Sequence, residues 1–307
     1  MQLRKWDAVV AAVLAGVVVL LAVWLLPSNE ESPPGGELPA PEPVLPELTG
    51  ALLVKIDNVG EAMPQRGLAA ADTVYVEPVE GGLTRLAAVF TGELPNVVGP
   101  VRSARETDVQ LFAGYDRPVF AYSGAAPELA GLLRSSSLVL AGPSQSPGAY
   151  FRAAGRPAPH NLFLRPGSLP ERKGDSPAWQ RGSAPEGGRE VATDAVDYPA
   201  ARYAFRWLPD AGHWSINRNG QAQARAANVI VQRVPVRTGL VRRDGAASTS
   251  PVATTVGSGA AVVLRDGKRY PARWERARPV DATRFTTDSG EALPLAPGPV
   301  WVLLVPR

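Results

Sequence analysis

Between Asp72 and Arg105, two runs that read as buried strands, DTVYVEPV and LTRLAAVF, are interrupted by Glu77, Glu80, a Gly81-Gly82 turn and Arg85, and are followed by GPVRSAR with Arg102 and Arg105. The β-branched and aromatic content of the first run fits a pleated surface, and the near-continuous apolarity of the second fits burial on both faces. Charges placed among core-forming residues need partners, because an unpaired charge in an apolar interior is strongly destabilising. Two arrangements satisfy them. Either the carboxylates pair with the arginines as internal bracing, or the arginines line a site for an anionic or polar ligand.

The sequence on either side extends that hairpin. ALLVKIDN, from Ala51, reads as a strand that presents Asp57 and Asn58 to a loop. Gly99-Pro100 breaks the chain before VRSARETDVQLFAGYD, where Ser103 and Glu106 have the spacing of a capping box and Val109, Phe112 and Ala113 follow at helical spacing. PVFAYSG reads as a fourth strand and PELAGLLRS as a second helix. The alternation predicts an α/β N-terminal globular domain over 51–165. A segment rich in Pro, Gly and Ser, 166–199, predicts a connecting loop, and the strand runs of 200–307, with an Asp266-Gly267 hairpin turn, predict a smaller, mostly antiparallel β domain.

Ahead of these domains, Arg4 and Lys5 precede an uncharged run of 19 residues, Ala8 to Leu26. As a helix it would span ~28 Å, about one hydrocarbon core, so residues 1–26 read as a cytoplasmic tip and an N-terminal transmembrane helix. A cleaved signal is the alternative, but no small-x-small site directly follows Leu26. Basic residues before the run and none close behind it place the bulk of the chain outside the membrane, as a single-pass protein. Residues 27–50, crowded with proline and glutamate, read as a semi-rigid stalk.

Composition excludes several chemistries. The chain has no cysteine, which removes disulfides, thiol catalysis, Cys-ligated zinc and a lipid-modified cysteine, and with only His160 and His213 a multi-histidine metal site is excluded as well. No metal or cofactor is expected. The net charge of +3 comes with no like-charge block or basic-aromatic platform, so nucleic acid is not an expected partner. There is no nucleophile elbow, phosphate-cradling loop or zinc-binding helix.

The remaining chemistry lies in a small set of side chains. Arg102 and Arg105 flank Ser103 at the predicted helix start, where free amides and the macrodipole already favour an anion. Glu77, Glu80 or Asp57 supplies that anion internally in the alternative arrangement, and Glu80 can face Arg85 across the hairpin. Glu80 and Asp57 are candidate catalytic carboxylates, and His160, in PHNLF, is a candidate acid or base near neutral pH or a loop tether. His213 reads as a turn residue.

Taken in order, KIDN, PQ-x-GL, AD-x-VYVE-x-VEGGLTR, GPVRSAR, PHNLF, NVIVQ and GPVWVLLVP resemble the YerB-like family of bacterial envelope proteins, over about Thr49 to Pro306. The resemblance implies a two-part extracytoplasmic module and implies no reaction. Asp57, Asn58, Glu80, Arg85, Arg102, Arg105, His160 and Asn161 match its motifs, whereas Met63, Arg66, Ala125 and Ala126 depart from them. A looser likeness, of pattern only, is to the LytR-CpsA-Psr phosphotransferases. The expected function is therefore binding of an anionic or polar envelope ligand, a wall glycopolymer or peptidoglycan-related, with Asn58, Glu77, Arg85, Arg102, Ser103, Arg105 and Asn161 as binding residues. The alternative is an envelope phosphotransferase or hydrolase acting on a pyrophosphate-linked lipid or wall polymer through Asp57, Glu80 or His160.

Overall fold

A computed structural model of the chain describes residues 50–241 and 249–307. The predicted span at 8–26 lies outside the described residues, as does the predicted stalk up to residue 49. Among the described residues no helix is long and apolar enough to cross a membrane.

Strands dominate. β1 (Leu52–Ile56), β2 (Thr73–Pro78) and β3 (Thr84–Phe90) are fully buried. β2 and β3 form the hairpin expected around Gly81-Gly82, with Glu77 opposite Arg85, and β3 also pairs antiparallel with β1. They are followed by α1 (Glu106–Leu111), β4 (Val119–Ala121), α2 (Ala130–Arg134) and β5 (Val139–Leu140). β4 runs parallel to β1, and β5 parallel to β4.

The α/β expectation is corrected here: the described residues are mostly β. α1 has six residues and α2 five, less than two turns each and too short for a helical layer. Two local causes are visible. Phe112 has already left helical geometry, and in PELAGLLRS the segment Pro127–Leu129 is a 3-10 turn. The capping box also moves. Arg105, not Ser103, caps α1, and Asp108 Oδ2 accepts the Arg105 backbone N–H at 2.6 Å. Glu106 is left to accept the Leu240 N–H at 2.7 Å and a hydrogen bond from Arg237 at 2.5 Å.

A short hairpin, β6 (Tyr150–Arg152) and β7 (Leu162–Leu164), precedes β8 (Arg189–Glu190). β9 (Thr193–Tyr198), β10 (Ala201–Leu208), β11 (His213–Arg218) and β12 (Gln221–Ala226) form a four-stranded antiparallel sheet. The chain then enters β13 (Asn228–Val234), passes through a hairpin of β14 (Val236–Thr238) and β15 (Pro251–Ala253), and continues in β16 (Gly257–Arg265), β17 (Lys268–Arg276), β18 (Arg284–Thr287) and β19 (Val300–Pro306).

Apart from the four-stranded sheet and the β14-β15 hairpin, the strands of the second half join the sheet of the first. Their order continues that of the first, β18-β17-β16-β13-β19-β2-β3-β1-β4-β5, with β8 paired to β17. The last strand is the junction, since β19 pairs in parallel with both β13 and β2. Its sequence, VWVLLVP, suits that place. Trp301, Leu303 and Val305 enter one core and Val300, Val302 and Leu304 the other, so the two-residue period fills both faces. The first core is capped by the four-stranded sheet through Tyr203, Phe205, Trp214 and Ile216, and the second by α1 and α2 through Leu111 and Leu133 with the flanking Phe112 and Leu129. The described residues accordingly form one compact unit.

Candidate functional site

The edge of the first core, where β1 ends, gathers most of the polar residues singled out above. β1 stops at Ile56, and the next residues are tied to the segment that opens with Gly99-Pro100: Ile56 bridges Val101, the Asp57 N–H donates to the Pro100 carbonyl at 2.8 Å, and the Arg102 N–H donates to the Lys55 carbonyl at 2.9 Å. That segment also pairs with β7, through a Val98–Leu164 bridge and a 2.6 Å bond from the Val101 N–H to the Leu162 carbonyl. Backbone pairing therefore delivers Asp57, Arg102 and His160 to one place.

There the Asp57 carboxylate is buried at 2% exposure. Its Oδ2 lies 2.8 Å from His160 Nδ1 and 3.1 Å from Arg102 Nε, and its Oδ1 accepts the Asn58 N–H at 2.9 Å. The arginine contact is one of charge, not of hydrogen-bond geometry, because Arg102 Nε has no in-line acceptor. Asn58 forms the floor. Its Nδ2 donates to Thr84 Oγ1 at 2.9 Å and Tyr203 OH at 2.5 Å, and its Oδ1 accepts from Gln223 at 2.7 Å and Gln65 at 3.2 Å. This network stitches the loop after β1 to β3 and to the four-stranded sheet.

Above it opens a cleft of about 660 Å³ whose walls include Arg102, His160, Glu61, Arg218, Asn219 and Gln221. Arg218 ends β11 just before the Asn219-Gly220 turn; it is 4% exposed and its Nε has no hydrogen-bond partner within the described residues. Sequence reasoning missed Arg218, Tyr203 and Gln223, which lie in strands of the second half. The one local signal was the RNG turn, which places an arginine at a strand end.

The remaining predicted residues fall into two other groups and one outlier. Arg105 Nε and Nη2 donate to Glu80 Oε2 at 3.1 and 2.7 Å, and its Nη1 to the Ala104 carbonyl at 2.9 Å. Burial would raise the Glu80 carboxyl, but the Arg105 hydrogen bonds and charge outweigh it and hold the group below its usual range. Arg85 Nη1 donates to the Ser103 carbonyl at 3.2 Å, and its Nε is buried without a partner. Burial, aided by the charge of Arg105, pulls Arg85 down to about 10, so it stays cationic near neutral pH. The Ser103 hydroxyl lies 3.5 Å from that of Ser123.

Glu77 belongs to the second group. It and Asp108 accept hydrogen bonds from Lys55 Nζ at 2.7 Å each, and all three side chains are fully buried. Two carboxylates share one ammonium, so a surplus negative charge is enclosed. Desolvation, with Asp108 adding to it, raises Glu77 to about 7 in spite of Lys55. Asn161 is the outlier, accepting from Arg152 at 2.6 Å and donating to the Arg156 carbonyl at 3.2 Å. Among the described residues no group of three or more His, Asp or Glu side chains could hold a metal ion.

Two family profiles cover most of the chain. Residues 41–178 match the N-terminal domain, and residues 195–302 the C-terminal domain, of the proteins of unknown function DUF3048. The chain belongs to the DUF3048 family. It is 38% identical, over 111 residues, to the "Putative lipoprotein YerB" of Bacillus subtilis (strain 168), a match that takes in 36% of this chain and 33% of that relative. The crystal structure of the YerB protein from Bacillus subtilis superposes with a TM-score of 0.70 at 21% identity, covering 84% of this chain and 91% of that one. The likeness to that crystal structure is one of fold. The cleft of this DUF3048 chain rests on its own side chains.

Proposed function

We propose that the chain is an extracytoplasmic protein of the bacterial cell envelope that holds an anionic wall glycopolymer in the cleft walled by Arg102, His160 and Arg218. The observation that carries this reading is Arg218, a guanidinium on the cleft wall beside the Tyr203 hydroxyl that makes no ion pair within the described residues. A cation without a counter-charge favours an anion, and an oxyanion offers a guanidinium charge-assisted hydrogen bonds. Arg102 supports the same reading, its side chain being 27% exposed and on the cleft wall. An open cleft of about 660 Å³ admits a segment of an extended polymer.

The location draws on the relative named as a lipoprotein. This chain has no cysteine to carry a lipid, and the apolar run of 8–26 behind Arg4 and Lys5 takes over as the anchor, with the proline-rich stretch to residue 50 as spacer.

The test is co-sedimentation with isolated bacterial walls, either intact or stripped of anionic polymer. Intact walls are expected to retain the protein, stripped walls to release it, and Arg102→Gln with Arg218→Gln to weaken retention at least ~10-fold, one charge-assisted contact's worth. Retention that survives the double substitution in a folded protein sinks the reading.

A further inference from the structure

The geometry points to a hydrolytic role for the same cleft: we propose that His160 is the general base of a phosphodiesterase, positioned by Asp57. The inference rests on the cleft being an anion site. It starts from a feature that anion binding alone does not explain. Asp57 places a buried carboxylate 2.8 Å from the imidazole and 3.1 Å from the Arg102 guanidinium, which subtracts from the positive potential that would attract an anion. A site built only to bind would gain by omitting it. A carboxylate behind a histidine has a different use, in fixing which ring nitrogen carries the proton.

Here the fixing is thorough. The Asp57 carboxylate is held by the Asn58 N–H on Oδ1, and its backbone carbonyl accepts from Gln65 at 3.1 Å. With Nδ1–H donated to Oδ2, the lone pair of the neutral ring lies on Nε2, which makes no hydrogen bond within the described residues. The ring is 17% exposed and lines the cleft. Arg102 beside it and Arg218 on the wall supply cations for the non-bridging oxygens of a phosphoryl group, where negative charge grows in the transition state.

A phosphodiester is the substrate class that uses all four groups, and it is a linkage by which an anionic glycopolymer can be joined. In the step, a water in the cleft gives a proton to His160 Nε2 as its oxygen attacks phosphorus. The bond from phosphorus to the ester oxygen opposite the water breaks, that oxygen takes a proton from solvent, and the imidazolium then gives its proton to solvent. The products are a phosphomonoester and an alcohol, with one water consumed.

The experiment uses the full chain in detergent with bis(p-nitrophenyl) phosphate, reading nitrophenolate release, and measures binding of the same diester separately by calorimetry. Turnover is expected above the buffer rate, with ¹⁸O from labelled water in the monoester. His160→Gln, whose amide can still donate to Asp57 and keep the loop tethered, should lower kcat by about 10²–10⁴-fold. Asp57→Asn should lower kcat without raising KM, as expected of a positioning residue whose loss frees the wrong tautomer while removing a negative charge from beside the anion. Arg218→Gln should raise KM. If the diester binds but is not cleaved, or is cleaved equally by His160→Gln, the catalytic inference is overturned and the anion site stands. If it does not bind at all, both fall.

Discussion

Asp57 Oδ2 and His160 Nδ1 lie 2.8 Å apart although 103 positions separate the two residues in the chain. The contact depends on a short run of backbone pairing, β1 with the segment after Gly99-Pro100 and that segment with β7. Removing the carboxylate therefore does more than silence a side chain. Asp57→Ala leaves Arg102 and the Asn58 amide without their anion, and is expected to cost about 3 kcal/mol, with Asp57→Asn costing less. Urea denaturation with an unchanged m-value checks both.

Glu77 predicts an unusual pH profile. Its carboxyl rises from an ordinary 4.5 to about 7 in the folded protein, mainly through desolvation. Between those two values the folded chain binds more protons than the unfolded one, so stability falls as pH rises from 4.5 to about 7 and is flat above that. The contribution is on the order of 3 kcal/mol for a fully buried group. Glu77→Gln mimics the protonated form and should flatten this part of the profile, as read from denaturant midpoints between pH 5 and 8.

Glu80 and Arg105 test internal pairing directly. Their contact at 2.7 Å is only partly shielded, with side-chain exposures of 25% and 16%. A double-mutant cycle with Glu80→Ala and Arg105→Ala should give a coupling of about 1 kcal/mol. Retention on walls should be unchanged, because neither residue lines the cleft. Loss of retention in Arg105→Ala would mean that the ligand extends to this second arginine group.

The final strand should be indispensable. β19 separates β13 from β2 and hydrogen-bonds to both. A chain ending at Pro299 exposes two buried strand edges and is expected to lose cooperative unfolding in calorimetry. The milder change Leu303→Ala should cost about 2–5 kcal/mol, the usual range for a buried leucine.

Gly67 holds the loop that carries Gln65 to the site. Its φ is +77°, and an added Cβ would lie 2.4 Å from the Val97 carbonyl oxygen. Gly67→Ala should therefore lose at least ~1–2 kcal/mol from the left-handed backbone alone. A lower melting temperature together with weaker wall retention would tie the loop to the cleft.

Much of this was readable locally. LTRLAAVF announces a strand buried on both faces by its unbroken apolarity, VWVLLVP announces a strand, and Gly81-Gly82 and Asp266-Gly267 announce turns, because these signals depend on a few adjacent residues. VRSARETDVQLFAGYD and PELAGLLRS predict longer helices than the chain forms. Helical spacing shows which face a helix would bury, but not that the helix persists, and here each stops within two turns as the chain turns back to the sheet.

What the sequence by itself determined is the inventory and its local form: charged side chains flanking a strand hairpin, a histidine in PHNLF, no cysteine, and a long strand-forming second half. Only the tertiary structure decided the partnerships. It gave Arg105 to Glu80, Lys55 to Glu77 and Asp108, and Arg102 to Asp57 and His160. It also brought Arg218 and Tyr203, far along the chain, to the end of β1. The reason is physical: an ion pair or a cleft is a relation across strands, set by sheet order and by where β19 inserts, and no window of neighbouring residues contains it.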